Sequence, residues 1–191
     1  MIFLAGPHGA GKTTSSDFLV SFGFEKIDLG PTIRRLHKES GSPLPLRDWC
    51  ARGEAEHGPE FTDHILATEM NRMLDAWSEE SPPFLDLLVV GSRSLDGINY
   101  LKEHVRHLSG FHDVIIYLNA SEETLRRNYN LREKTEYTPD KFAAILQRDL
   151  DMGLGTVRNV ADYLIRNEGS IEVLEAALHA LIFGTLSYRR K

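Results

Sequence analysis

The sequence has little cysteine and no long apolar run. Cys50 is the only cysteine among 191 residues, so an intramolecular disulfide and a cysteine-based zinc cluster are both excluded. No apolar stretch approaches the roughly 20 residues that a membrane-spanning helix needs. The first residues also carry no basic segment of a signal peptide. These absences predict a protein of the reducing cytoplasm that has no membrane partner.

Basic residues are in the minority as well. The chain has 22 Lys and Arg against 28 Asp and Glu, which gives a formal net charge of −6. This balance argues against a large nucleic-acid-binding surface, although it leaves room for a local basic groove. The length and the 41% of hydrophobic residues fit one α/β domain, residues 1–191, with a substantial buried core.

A glycine-rich loop directly follows the apolar run of residues 2–5. Residues 6–13 read GPHGAGKT and match the pattern G-x-x-x-x-G-K-[ST]. In this motif the glycines let successive backbone N–H groups turn toward an anion, and the helix that follows adds its partial positive charge. We therefore predict a nucleotide phosphate site formed by Gly6, His8, Gly9, Ala10, Gly11, Lys12, Thr13 and Thr14.

Three side chains of this loop have distinct expected roles. Lys12 is expected to reach the outer phosphates, and the Thr13 hydroxyl is expected to hold Mg²⁺. His8 either approaches a phosphate or faces solvent, and the sequence favours solvent for it.

Hydrophobic patterning predicts five strands that alternate with helices. The strongest strand candidate is 84–90, and 24–27, 114–118 and 163–165 are others. Such alternation predicts an α/β fold with a parallel sheet covered by helices on both faces, and ligands bind at the carboxyl ends of its strands. Residues 152–159 contain two glycines and are expected to form a loop.

Charged residues follow several of these strand ends. Asp28 could accept a proton from a substrate hydroxyl or hold Mg²⁺ through water, or it could simply cap the next helix. One of Arg34 and Arg35 is expected to touch a substrate anion, while the other faces solvent. Arg93 lies two residues beyond a strand end, and a substrate-phosphate role is favoured there over a surface salt bridge.

A basic cluster lies between residues 126 and 148. Arg132 sits at a predicted break between two helices, where a lid would fold over the transferred phosphoryl group and neutralise its charge. The alternative is an ordinary charged helix surface, because glutamates are interleaved with the basic residues.

These features together resemble the P-loop nucleoside and nucleotide kinases, closest to the dephospho-CoA kinase and adenylate kinase branch and to a largely archaeal kinase-like family within it. The resemblance rests on the phosphate loop, on Asp28 with 32–35, on 91–93, and on a C-terminal third that contains 147–149, 153–155, 161–163 and 167–169.

The resemblance implies a three-layer fold with strand order 2-3-1-4-5, ATP as phosphoryl donor and Mg²⁺ as cofactor. It also implies a helical acceptor-binding region at 30–77 and a lid at about 126–140. The turn after the last strand, with Asn167 and Gly169, is expected to bind the nucleotide because ligands bind at the carboxyl ends of the strands. The implied acceptor is a small nucleotide, nucleoside or related molecule.

One departure from the family pattern lies at Val90, where members usually carry an acidic residue before the Gly-x-Arg turn. Three functions therefore stay open. The first is a kinase of a small acceptor. The second is a kinase of a nucleic-acid or modified-base hydroxyl, and the third is a nucleotide-responsive regulatory module that hydrolyses slowly or not at all.

Overall fold

A parallel β-sheet organises the structure, which is a computed structural model that describes residues 1–76, 87–106 and 113–186. The strands are β1 Ile2–Ala5, β2 Glu25–Asp28, β3 Leu87–Val90, β4 Val114–Asn119 and β5 Tyr163–Arg166. They lie in the order β2-β3-β1-β4-β5, and every pairing is parallel. The predicted fold class and strand order are confirmed.

Helices connect these strands. They are α1 Lys12–Val20, α2 Leu29–Glu39, α3 Leu46–His57, α4 Phe61–Ala76, α5 Leu95–His104, α6 Glu122–Glu133, α7 Pro139–Asp151, α8 Leu154–Val160 and α9 Ile171–His179, followed by a π-helical segment Ala180–Leu186. Within the described ranges, none of these helices has both the length and the apolar character to span a bilayer.

Alternate residues of each central strand supply two separate cores, because successive side chains of a strand point to opposite faces. Leu4 of β1 belongs to the core beneath α1, α6, α7 and α9. Its neighbour Phe3 belongs to the core beneath α4, α5 and α8. Both side chains are 0% exposed, so the sheet is the middle layer of three.

Residues 152–159 are not the predicted loop. Gly153 has φ +97° and precedes α8, in which Leu154 and Val157 are buried in the second core. The two glycines indicated a break, but Gly153 supplies the left-handed residue at which one helix ends and the next begins. The apolar residues three apart then pack as a short helix.

Apolar spacing in the sequence also predicts helices over 32–39, 60–77 and 95–108. The first of these begins earlier, at Leu29, because Asp28 caps α2 and Pro31 in the first turn costs no intrahelical hydrogen bond. Residues 77 and 107–108 of the other two helices, and 84–86 of the predicted strand 84–90, lie outside the described residues.

Candidate active site

The glycine-rich loop joins the carboxyl end of β1 to α1, as predicted. Gly9 has φ +81° and Gly11 has φ +94°, left-handed values that favour glycine. A Cβ on Gly9 would lie 2.1 Å from the carbonyl oxygen of Leu125, and one on Gly11 would lie 2.6 Å from Asn167 Nδ2. The loop is therefore in direct contact with α6 and with the turn after β5.

Two asparagine amides brace the loop from these elements. Asn128 Nδ2 on α6 donates to the carbonyl of Gly9, and Asn167 Nδ2 donates to that of Ala10, each at 3.0 Å. The turn after β5, which contains Asn167 and Gly169, therefore borders the loop through Asn167. Asn128 was not predicted, because its role depends on a residue 119 positions away.

The Lys12 ammonium lies within the loop. Nζ donates to the carbonyl oxygens of Gly6 at 2.7 Å and Pro7 at 2.8 Å. Protein atoms surround the charge densely, and this burial lowers the pKa of Lys12 from 10.5 to about 8, because desolvation disfavours an ammonium.

Four other charged groups act on the Lys12 ammonium. Asp149 raises its pKa, Arg93 and Arg132 lower it, and Asp28 raises it. Contacts place two of these groups at the loop, because Asp149 and Arg93 both lie within hydrogen-bonding distance of His8.

His8 does not face solvent, which corrects the favoured expectation. Its Nδ1 lies 2.8 Å from Asp149 Oδ2, and its backbone N–H donates to the same oxygen at 3.1 Å. Its Nε2 lies 3.2 Å from Arg93 NH2, and Arg93 Nε lies 3.4 Å from Asp149 Oδ1. The loop is thereby linked to α7 and to the turn after β3.

Asp149 is the largest omission of the sequence analysis. Its side chain is 3% exposed. Burial alone would raise its pKa, but the hydrogen bonds and charge of His8 and the charge of Arg93 outweigh burial and hold it below its ordinary value. A signal was present, since Phe142, Ile145 and Asp149 are spaced three and four residues apart and so share the buried face of α7.

Asp28 lies at the end of β2 and caps α2, so the capping role that the sequence left open is realised. Oδ1 accepts a hydrogen bond from the Gly30 N–H at 3.2 Å. The same oxygen lies 3.7 Å from where a Cβ on Gly91 would be, and Asp28 pairs in register with Val90. The carboxylate therefore caps a helix and also borders the end of β3.

The two arginines of α2 have different surroundings. Arg35 contacts Glu39 at 2.9 Å and the buried Glu69 at 2.5 Å, so it braces α2 against α4. Arg34 is exposed and lies against Gly30, next to the Asp28 carboxylate, and it makes no hydrogen bond or ion pair among the described residues. Arg35 is therefore engaged in ion pairs, whereas Arg34 has none among the described residues.

Arg132 lies on a helix, not at a break. α6 continues through it to Glu133, and the chain turns only at Lys134, which has φ +52°. Charged residues interrupt the apolar pattern, but Arg and Glu are good helix formers. The guanidinium lies 5.0 Å from the centre of the Tyr129 ring, and Nε donates to Glu133 Oε1 at 2.8 Å.

Thr13 and Thr14 lie in the first turn of α1. No group of three or more His, Cys, Asp and Glu side chains suited to a metal ion occurs in the part of the chain that the structure describes. Mg²⁺ in phosphoryl-transfer sites is typically held by one or two protein groups together with phosphate oxygens and water. The exposed Thr13 side chain, at the start of the helix behind the phosphate loop, fits that requirement.

Comparison with known sequences finds uncharacterised relatives of similar length. The chain is 30% identical over 186 residues to a UPF0200 protein of Methanococcus vannielii, a match that covers 95% of this chain and 94% of that protein. No family model matches the chain.

Comparison with solved structures finds kinases. Shikimate kinase from Acinetobacter baumannii in complex with shikimate has a TM-score of 0.58 and 23% identity, covering 96% of this chain and 92% of that one. A gluconokinase from Sinorhizobium meliloti has a TM-score of 0.56 and 18% identity, covering 100% and 97%. At these identities the likeness shows the fold alone, which is P-loop kinase-like.

Proposed function

The chain belongs to the UPF0200 family, and we propose that it is an ATP-dependent phosphotransferase acting on a small-molecule acceptor. The observation that carries the proposal is the glycine-rich loop, which contains the Lys12 ammonium and is joined to the Arg93 guanidinium through His8. Cations beside such a loop neutralise the charge of a transferring phosphoryl group. A carboxylate in the same cleft can take the proton of an acceptor hydroxyl.

In the proposed reaction an acceptor oxygen attacks the γ-phosphorus of ATP, the bond to the β,γ-bridging oxygen breaks, and ADP leaves. Asp28 orients the acceptor hydroxyl and takes its proton. Lys12 and the loop amides hold the β- and γ-phosphates, while Arg93 and Arg132 balance the negative charge. Mg²⁺, when bound beside Thr13, supplies further charge neutralisation on the phosphate oxygens.

We propose that the acceptor binds against the helices of residues 30–77, with Arg34 contacting an anionic group. A guanidinium matches a carboxylate or a phosphate with two parallel hydrogen bonds, and Arg34 is exposed next to Asp28. A nucleotide, a nucleoside or a small hydroxy acid presents a hydroxyl, and the phosphorylated and acidic members of this group also present an anion. A shikimate kinase and a gluconokinase are among the structural neighbours, and this likeness adds small hydroxy acids to the candidate acceptors.

An acceptor panel tests the proposal. ADP release from ATP and Mg²⁺ is measured with nucleosides, nucleoside monophosphates, dephospho-CoA, shikimate and gluconate, and acceptor-dependent release with any of them supports a small-molecule kinase. Binding of ATP and ADP without turnover on any acceptor favours the regulatory module instead. Turnover only on an oligonucleotide, with affinity that falls steeply with salt, favours a kinase of nucleic-acid hydroxyls.

The two arginines of α2 provide a matched test of the acceptor site. Arg34→Gln is expected to raise the KM for an anionic acceptor about tenfold, the scale of one charged hydrogen-bond pair, with the KM for ATP unchanged. Arg35→Gln is expected to leave both KM values unchanged and to lower the melting temperature, since it removes an ion pair to the buried Glu69. Equal effects of the two variants on acceptor KM would contradict the assignment.

We propose that residues 126–140 act as a lid. Arg126 of α6 donates to the Tyr137 carbonyl, and Asn130 of α6 accepts from the Tyr137 N–H at 3.0 Å. These bonds tie the segment between α6 and α7 to α6, and we expect the two to move together.

Proteolytic cleavage between 130 and 138 is expected to slow about tenfold when ATP and acceptor are both bound, because closure buries the segment. The cleavage rate of Lys12→Met protein should not change when ATP and acceptor are added. Equal cleavage rates of wild type with and without these ligands would count against a lid.

A further inference from the structure

His8 connects the phosphate loop to Arg93 through one ring nitrogen and to Asp149 through the other. We propose that His8 is a positioning residue, which holds Arg93 at the phosphate loop only while its ring is neutral, so that protonation of His8 releases Arg93 and slows phosphoryl transfer. This inference rests on the proposed function, in which Arg93 balances the charge of the transferred group.

Hydrogen-bonding roles fix the tautomer of His8. A guanidinium can only donate, so Nε2, which lies 3.2 Å from Arg93 NH2, must be the accepting nitrogen. The ring proton is then on Nδ1 and is donated to Asp149 Oδ2 at 2.8 Å. The same carboxylate oxygen accepts the His8 backbone N–H, so Asp149 holds both the main chain and the ring of this residue.

A second proton on the ring removes the contact with Arg93. It would occupy Nε2, turn the ring acceptor that faces Arg93 NH2 into a donor, and place two cations 3.2 Å apart. The imidazolium would also strengthen its pairing with Asp149, which is the carboxylate that Arg93 Nε approaches at 3.4 Å. Both changes weaken the contacts of the Arg93 guanidinium with His8 and Asp149.

The groups around His8 come from four elements. Asp149 faces it from α7 and Arg93 from the turn after β3. Tyr129 of α6 packs against the imidazole in a T-shaped arrangement with ring centroids 5.5 Å apart, and Lys12 of α1 interacts with the same Asp149 carboxylate. Asp149 is the one carboxylate among these groups, so protonation of His8 draws it away from the two other cations.

Among the residues that the structure describes, little else fixes Arg93. Its side chain is 38% exposed, and its NH1 lies 3.4 Å from the sulfur of Met152, which is a weak acceptor. The contacts with His8 and Asp149 are thus the polar anchors that keep the guanidinium turned toward the Lys12 ammonium.

Two substitutions of His8 separate its two nitrogens. The Asn side chain places an amide near Nδ1, so His8→Asn can still donate to Asp149 but leaves nothing for Arg93. The Gln side chain reaches the position of Nε2, so His8→Gln can still accept from Arg93 and cannot be protonated. His8→Asn is expected to lower kcat about tenfold, the scale of losing a group that only orients another, with less than about a twofold change in KM for ATP.

The pH profile distinguishes this role from a structural one. Wild type is expected to lose kcat toward acid pH. His8→Gln is expected to keep kcat within about threefold of wild type at neutral pH and to lack that acid-side decrease. His104→Gln, on the far part of α5, is the control and should retain the wild-type profile. The inference is overturned if kcat of His8→Gln decreases toward acid pH as much as that of wild type. It is also overturned if the Asn and Gln variants lose kcat equally.

The tautomer is measured independently of activity. Nitrogen-15 spectra of the His8 ring at pH 8 should show the proton on Nδ1 and an unprotonated Nε2. A proton on Nε2 in the wild-type protein overturns the inference. If wild type turns over no acceptor in the panel, the proposed function fails, and this spectrum alone decides whether His8 is held as described.

Discussion

Lys12→Met is expected to lower ATP-dependent ADP release about a thousandfold while the protein remains folded. The ammonium is the cation within the phosphate loop, and removing one preorganised group that stabilises developing charge costs a factor of this order. Methionine fills a similar volume, so the loop keeps its packing. The measurement is the initial rate of ADP release at saturating ATP and acceptor.

The stability of this variant follows from the position of the ammonium. Burial lowers the pKa of Lys12, which means that the fold holds the charged form at a cost relative to water, and replacement by an uncharged side chain removes that cost. Against this, the carbonyls of Gly6 and Pro7 lose their donor. These opposing effects predict a small change in melting temperature.

Lys26→Met is the matched control. Lys26 forms a 2.6 Å ion pair with the exposed Asp17 and has no assigned role in the reaction, and surface pairs of this kind contribute little to stability. Its turnover should equal that of wild type. Phosphoryl transfer by Lys12→Met protein at the wild-type rate would contradict the proposed role of the phosphate loop.

The same lysine predicts opposite pH trends for binding and for stability. ATP affinity should fall as pH rises through about 8, because the folded protein loses the ammonium there. Between about 8 and 10.5 the unfolded chain binds more protons at this residue than the folded one, so its contribution to the free energy of unfolding grows with pH. Lys12→Met should lack both trends.

The local parts of this structure could be predicted from the sequence. The phosphate loop depends on a glycine pattern between a strand and a helix, and the β3 and β4 strands depend on uninterrupted apolar residues, so both signals lie within a few neighbouring positions. The strand order came from the resemblance to P-loop kinases, and the structure confirms it.

Contacts between distant segments account for what the sequence analysis missed. The sequence favoured a solvent-facing His8 because its partner Asp149 is 141 positions away. The contact of Asn128 with the loop could not be predicted for the same reason, since Gly9 is 119 positions away. Arg34 and Arg35 are adjacent and chemically identical. Only the packing of α2 against α4, which brings the buried Glu69 to Arg35, tells them apart.

The position of Asp28 between two strand ends leads to the second large effect. Val90 stands where the resembling kinases carry an acid, and it is 2% exposed and apolar. Asp28 pairs with it in register, and its carboxylate borders Gly91. A carboxylate from the neighbouring strand therefore lies beside the place where the family's acidic residue would be.

Asp28→Asn is expected to lower kcat at least about a hundredfold, the scale of losing a positioned general base. Asparagine caps a helix as well as aspartate does, so α2 and the melting temperature should not change, and the loss in kcat reports on the carboxylate alone. Because Asp28 raises the pKa of Lys12, the variant should also lose ATP affinity at a lower pH than wild type. Asp28→Asn protein with full activity and an unshifted binding profile would show that Asp28 only caps α2, and the proton of the acceptor would then need another base.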